Sequence, residues 1–497
     1  MKKESFKISG PRLENYFKQF RENIIGINQT FSTSFGKKRL IYTDWTATGR
    51  LYRPIEEKIS RDFGPFVGNT HTEATITGAS MAGAYQHARR IIKEHVGAKP
   101  TDVIITAGSG MTGVINKFQR ILGLRLPEQY KSIILATSDR PVVFTSHFEH
   151  HSNQTSWLET IAEVVIVPPD QNGEVSPQTL SKLVEKFKNR CLKIGAFSAC
   201  SNVTGIRSPV HQLARLMHQY EGLCFVDYAA SAPYVAIEMH PQDEEEKLDA
   251  IYFSPHKFLG GPGTPGVLIF DSKLYQNQVP DNPGGGTVAW ANPWGGRHYF
   301  DDIEIREDGG TPPFLQTIKA AICIKLKEKM NIEKMEERKK ELLTIIFDGL
   351  ERIKTLHILA GNIKQRQGII SFYVDGLHYN LIAKLLNDRF GIQARAGCSC
   401  AGTYGHYLLG VGHDLSKEIT DRIDQGDLST KPGWVRLSIH PTATDEETGY
   451  VVEAVREIVR HGKTWQEDYG YDSRTNEFIH KKAGGQFAKT VAKWFEL

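Results

Sequence analysis

The sequence predicts an α/β fold in which a mostly parallel sheet lies between helices and a smaller α+β domain follows it. Three observations carry this. Between about residues 75 and 270, short β-branched runs alternate with amphipathic stretches, the pattern of βαβ units. After Pro312 and Pro313 the texture changes to a long run, FLQTIKAAICIKLKEKMNIEKMEERKKELLTIIFDGL, with apolar residues at helical spacing. The 497 residues, 40% of them hydrophobic, supply core enough for one large body and a companion.

The elements read off in order. DVIITA leads into the helix TGVINKFQRILG, whose Val114, Ile115, Phe118, Ile121 and Leu122 share one face. Then come the strands PVVFTS and AEVVIVP, the helix PQTLSKLVEKFKN, the strand LKIGAFSA, the helix PVHQLARLMHQY, and the strands LCFVDY and DAIYFS. In such sheets ligands gather at the carboxyl ends of strands. The second region adds the strand GIISFYV, a helix around HYNLIAKLLNDRF, a loop with Cys398 and Cys400, the strand WVRLSIH, and a last helix opened by a capping box from Thr444 to Glu447. Beyond about Trp465 a polar, Lys-rich tail reads as an appendage. The expected division is residues 1–40 as a segment packing with the small domain, 41–311 as the large domain, 312–465 as the small domain carrying the cysteine loop, and 466–497 as an extension.

Charge narrows the job. The 61 Lys+Arg and 57 Asp+Glu leave a net +4 with no polybasic block, so neither a nucleic-acid groove nor an anionic membrane is the expected partner; a small molecule is. No signal peptide and no apolar span of about 20 residues stand out, which predicts a cytoplasmic protein. Cys191, Cys200, Cys224, Cys323, Cys398 and Cys400 are too irregularly spaced for a disulfide framework and read as reduced thiols.

The strongest local signal is SPHKFLGGPGTPG, residues 254 to 266, directly after DAIYF. It puts Lys257 at a strand end, among groups that lower a lysine pKa until the amine is nucleophilic. Asp227 closes the apolar run GLCFV, where a buried carboxylate needs a cation. A lysine that forms a Schiff base and an aspartate facing a protonated ring nitrogen are the constellation expected for pyridoxal phosphate. AGSGMTG supplies a helix N-terminus as an anion cradle, with Thr112 as a hydroxyl donor and Ser254 and His256 as further donors. Gly108, Gly110 and Gly113 also spell G-x-G-x-x-G, but Asp139, the nearest candidate for the acid that motif wants about 20 residues on at the next strand end, heads a Pro-containing turn, so the dinucleotide reading loses ground.

TSHFEHHSNQTSW delivers His150 and His151 to a strand end, where an imidazole can stack on an aromatic cofactor or move protons. With Cys398, Cys400 and His406 the pair fits no recognised zinc spacing, and no metal is expected. QARAGCSCAG sets two thiols near Arg395, a neighbour that favours thiolate. Cys191, Cys224 and Cys323 read as small buried hydrophobes and Cys200 is ambiguous. Arg436, inside an apolar strand, needs an anion: a substrate carboxylate held by its fork, or an internal salt bridge.

Together these motifs resemble the class V branch of fold-type I pyridoxal-phosphate enzymes, and within it the cysteine desulfurase and selenocysteine lyase group. The likeness runs from YTDWTATG near residue 42 to about residue 460. It implies a seven-stranded, mostly parallel sheet in the large domain, Lys257 as the Schiff-base lysine with Ser254 and His256 beside it, and Asp227 at the ring nitrogen. It also implies His150 stacking on the ring, Asn202 of SNVTG near the ring hydroxyl, and Met111 and Thr112 at the phosphate. Gly310 and Thr311 of GGT fall where the family reaches the neighbouring subunit's phosphate, which implies a homodimer. RAGCSCAG is similar to R-x-G-x-x-C-A, placing Cys400 at the persulfide-forming position, with Arg395 and Arg436 near the substrate carboxylate. The implied reaction removes sulfur or selenium from a cysteine-type amino acid, leaves alanine, and passes the sulfur to an acceptor such as a protein. Three departures stand out: Ala230 where a glutamine is common, Gly113 where a glutamate is common, and Cys398 where histidine is frequent. The alternatives are another class V reaction (aminotransferase, epimerase or lyase) without cysteine chemistry, and a noncatalytic scaffold, against which the Lys257 and Asp227 pair argues.

Overall fold

The structure is a computed structural model that describes residues 13–130, 139–482 and 486–496. The first 12 residues of the N-terminal segment, and residues 483–485 and 497 of the extension, lie outside the described residues.

Seven strands form the central sheet: β1 (Val103–Ala107), β2 (Val142–Ser146), β3 (Glu163–Val167), β4 (Lys193–Ser198), β5 (Leu223–Asp227), β6 (Ala250–Phe253) and β7 (Gly266–Phe270). Their order is β1-β7-β6-β5-β4-β2-β3. All pairs from β6 to β3 are parallel, whereas β7 runs antiparallel to β6 and β1. β2, β4 and β7 are buried along their whole length, as strands covered on both faces must be. β7 is absent from the sequence reading, where glycines and prolines dominate the segment before it. That segment is too short and too rich in turn residues to build a helical crossover, so the chain re-enters antiparallel.

Helices α1 (Ile76–His95), α2 (Gly110–Ile121), α3 (His151–Leu158), α4 (Pro177–Val184) and α5 (Val210–Gln219) belong to this body. The run after Pro313 is two helices, α6 (Phe314–Met330) and α7 (Ile332–Leu350). They break at Asn331, which has φ +62 and caps α7 by accepting from the Lys334 N–H at 3.0 Å. Ile318, Ala321 and Ile324 of α6 share a core with Phe144, Val226 and Phe253. The second core gathers Leu342 and Ile346 of α7 with Ile41, Phe372, Leu437 and Val455.

Around that second core, β8 (Leu356–Ile358), β9 (Ile369–Val374), β10 (Arg395–Gly397) and β11 (Trp434–Ser438) form an antiparallel sheet in the order β8-β9-β11-β10. Thr444 caps the helix Asp445–Trp465 through the Glu447 N–H. Between β10 and β11 the chain makes an excursion of two helices, Gly402–Leu409 and His413–Asp424, that the sequence reading did not contain. At the N-terminal end, Arg21 pairs with Glu447 at 2.9 Å and Glu14 with Arg338 at 3.2 Å. In the extension, a hairpin of Tyr469–Asp472 and Glu477–His480 buries Tyr469 and Phe478 in the second core.

Candidate active site

A cavity of about 200 Å³ opens at the carboxyl ends of β5 and β6; Met111, Thr112, His150, Asn202, Asp227, Ser254, His256, Lys257, Arg395, Cys400 and Arg436 all line it. These are eleven of the thirteen site residues expected from sequence. Gly310 and Thr311 are the other two; they are exposed and do not line it.

Lys257 ends the short turn Pro255–Lys257 after β6. Burial pulls its ammonium down to about 8, with Arg436 and Arg395 acting in the same sense and Asp227 against them. Asp227 is 5% exposed and accepts a 2.7 Å bond from the Ala229 N–H. Burial raises its carboxyl to about 7, opposed by that bond and by Lys257, with buried Glu149 adding to the rise. Burial thus moves the two groups toward each other in pKa, the acid upward and the amine downward.

At the other end, α2 points its N-terminus at the cavity. The Met111 N–H donates to Ser254 Oγ at 2.8 Å, and Thr112 Oγ1 lies 2.7 Å from Ser152 Oγ. Gly110, with φ +63, is required here: a Cβ would stand 2.9 Å from Ser254 Oγ. Gly266 is required as well, since its Cβ would meet the Gly110 carbonyl oxygen at 2.1 Å. Burial, helped by Lys257, lowers His256 to about 4, so it is a neutral donor or acceptor, and its Nδ1 is 3.2 Å from Thr48 Oγ1.

His150 caps α3, its Nδ1 accepting from the Ser152 N–H at 3.1 Å. Burial first, then Lys257, hold it at about 3, uncharged at neutral pH. His151 does something else. Its main-chain N–H donates to the Cys400 carbonyl at 2.8 Å and its Nε2 accepts from the Gly402 N–H at 2.9 Å. Asn202 Nδ2 donates to the Ser399 carbonyl at 2.7 Å. His151 and Asn202 therefore grip the cysteine loop at three atoms. The loop is a turn closed by the Ala401 N–H on the Cys398 carbonyl at 3.1 Å, with Ser399 at φ +53 and Cys400 at φ +57. Two successive L-residues in the left-handed region cost about 1–2 kcal/mol each. Cys400 is exposed and faces the cavity, whereas Cys398 is partly buried against the first core and does not line it. Cys200 lines the cavity but is fully buried, which pushes its thiol up to about 12.

Arg436 is 2% exposed and already has an internal partner: Nη2 donates to Asp44 Oδ1 at 2.7 Å and Nη1 to the Asn202 carbonyl at 3.0 Å. Burial lowers its pKa against the pull of Asp44. Arg395 stands 3.9 Å from the other Asp44 oxygen, Oδ2. The salt bridge and the place on the cavity wall, opposed as alternatives in sequence, coexist. His406 turns to the Gly402 carbonyl and Ser416 Oγ.

The donor set fits a group with a phosphate at one end and a protonated ring nitrogen at the other. The buried Asp227 carboxylate, whose hydrogen bond comes from one main-chain N–H, has room for a cationic donor. Asn202 Oδ1 is buried without a partner, and α2, Thr112, Ser254 and His256 surround an anion position.

Residues 41–451 match the aminotransferase class-V family. The chain belongs to that family. The curated relatives it resembles include a "probable cysteine desulfurase" of Staphylococcus aureus (strain Mu50), 26% identical over 368 residues that span 73% of this chain and 84% of the relative. A namesake from Halalkalibacterium halodurans is 26% identical over 366 residues, with the same coverages. Among solved structures, the apo cysteine desulfurase from Thermococcus onnurineus NA1 superposes with TM-score 0.70 at 22% identity, covering 89% of this chain and 98% of that one. The cysteine desulfurase CsdA from Escherichia coli, in its S-sulfonic acid form, gives 0.69 at 21% identity with equal coverage. The fold is therefore the fold-type I architecture of this class V family.

Three residues of this class V site escaped the sequence reading. Asp44, in YTDWTATG, bridges Ser438 at the end of β11 and holds Arg436 of that strand. Glu149, in EHHSN, is buried and accepts from Ser146, Asn153 and Ser198, its carboxyl raised by burial. His151 was weighed for ring stacking, proton transfer or metal binding, but not for holding the cysteine turn. Among the described residues no three His, Cys, Asp or Glu side chains gather to hold an ion.

Proposed function

We propose that this class V protein is a pyridoxal-phosphate-dependent cysteine desulfurase, taking sulfur from cysteine, or selenium from selenocysteine, and releasing alanine. One observation carries the reading: Cys400, on a tethered turn, opens into the same cavity as Lys257, Asp227, Arg395 and Arg436. When bound, pyridoxal phosphate supplies an aromatic ring that accepts electrons from the substrate amino acid. Asp227 would hold the ring nitrogen protonated, Asn202 would face the ring hydroxyl, and His150 would cover the ring. Met111, Thr112, Ser254 and His256 would hold the phosphate.

Lys257, its pKa lowered by burial, is the base that moves protons at the substrate, together with His150. Arg395 and Arg436 orient the substrate carboxylate, Arg436 by sharing its fork with Asp44. The Cys400 thiolate attacks the substrate sulfur; the S–S bond of a persulfide forms, the C–S bond breaks, and its electron pair stays with the carbon, which leaves as alanine after protonation. The persulfide sulfur then passes to an acceptor, for which a protein is our reading.

Gly310 and Thr311, exposed and away from their own cavity, support a homodimer in which each completes the partner's phosphate site. Free thiols and, among the described residues, the lack of any helix long and apolar enough to cross a membrane support a cytoplasmic location. Incubating purified protein with cysteine and assaying alanine and sulfide tests the reaction. Protein whose spectrum responds to amino acids but which yields no alanine would refute it and leave another class V reaction.

A further inference from the structure

A second cavity, of about 210 Å³, lies on the far side of the segment that carries Asn202. Five cations, Arg207, Lys339, Lys340, Lys364 and Arg366, line it against two acids, Glu336 and Asp348. Glu336 is spent on Arg207 at 3.0 Å, Lys364 pairs with Glu351 at 2.9 Å, and Asp348 is exposed, where solvent screens it. Two cations remain. Lys339 is 3% exposed and Arg366 6%, and among the described residues neither forms an ion pair.

Both are poorly compensated. Lys339 Nζ bonds Gln367 Oε1 and stands 4.9 Å over the Tyr234 ring. Arg366 spends its donors on the Leu359, Ala360 and Ile363 carbonyls and lies 5.2 Å from the Phe347 ring centre. Burial pulls Lys339 down to about 7, with Arg207 adding to the fall, and Arg366 to about 10. Isolated buried cations are costly unless a counter-charge meets them. Lys339 still has two N–H donors to give and Arg366 one. Gln367, beside them, leaves its buried Nε2 without a partner.

We propose that this cavity is a binding site for a phosphate-type oxyanion, free or as a phosphate ester, held by Lys339 and Arg366 and gathered at its rim by Arg207 and Lys340. It stands where occupancy reaches the candidate active site. Arg207 bridges Cys200, and the Gln367 N–H donates to the Gly205 carbonyl at 2.8 Å. The same segment carries Asn202, which grips the cysteine turn. An anion in the cavity ties α7 to that segment from behind.

The test is calorimetric titration of the full chain saturated with pyridoxal phosphate, so that the cradle at α2 is filled, with ionic strength fixed by chloride. Inorganic phosphate and glycerol phosphate are the two probes. The expected result is one saturable event per chain for at least one probe, weakened about tenfold or more in Lys339→Met. A response to inorganic phosphate alone assigns the free ion; tighter binding of glycerol phosphate assigns an ester. Lys339→Met should also unfold in chloride at an unchanged or higher temperature, because it removes an uncompensated buried charge, and should lose the rise that phosphate gives the parent. No saturable binding of either probe up to about 10 mM, or equal affinity in Lys339→Met, overturns the proposal. If that variant does not fold, the rim pair Arg207→Gln and Lys340→Gln decides by the same measure: about tenfold weaker binding supports the site and unchanged binding overturns it.

Discussion

Burial at the end of β6 holds the Lys257 ammonium at about 8 instead of 10.5, and only the neutral amine attacks an acyl carbon. At pH 7 an ordinary lysine is roughly 0.03% neutral and one at 8 about 9%, a gain of about 300-fold in the reactive form. Trace acetylation with acetic anhydride across about pH 6 to 11, on folded protein freed of pyridoxal phosphate and read by peptide mass spectrometry against the denatured chain, measures the midpoint directly. It should fall near pH 8. Asp227→Asn removes the carboxylate that favours the ammonium and should move the midpoint down; Arg395→Gln removes a repelling charge and should move it up. A midpoint near the ordinary lysine value, or shifts of the opposite sign, would refute the account of the site as a desolvated amine flanked by one acid and two guanidinium groups.

Cys400→Ala should abolish alanine and sulfide formation from cysteine, by about 1,000-fold or more, while Cys398→Ala stays within about threefold, since only Cys400 faces the cavity. His151→Phe removes the acceptor for the Gly402 N–H; iodoacetamide should then alkylate Cys400 about fivefold faster, with His151→Asn restoring the slower rate. Gly266→Ala drives a Cβ to 2.1 Å from the Gly110 carbonyl and should cost about 1–3 kcal/mol, seen as a lower urea midpoint, with weaker retention of pyridoxal phosphate.

The residues that close apolar runs were legible in sequence because a polar group in that position has few purposes. Asp227 after GLCFV and Lys257 after DAIYF declared the strand ends and their place on the cavity wall. The N-terminus of α2 was legible from glycines followed by an amphipathic face. Asp44 was not, since its partner Arg436 lies 392 positions away and no local pattern joins them. β7 hid behind its turn residues, and the break at Asn331 hid in a run whose helical period continues on both sides. Glu149 was passed over because its role depends on Ser198, which arrives from another strand.

Ser399 and Cys400 hold together a conformation the backbone resists, by about 2–4 kcal/mol in sum, and the turn's own Ala401–Cys398 bond is reinforced from outside by Asn202 and His151. Losing the Asn202 and His151 contacts would leave that resisted conformation held by the single Ala401–Cys398 hydrogen bond, so the turn's shape depends on groups far from it in sequence.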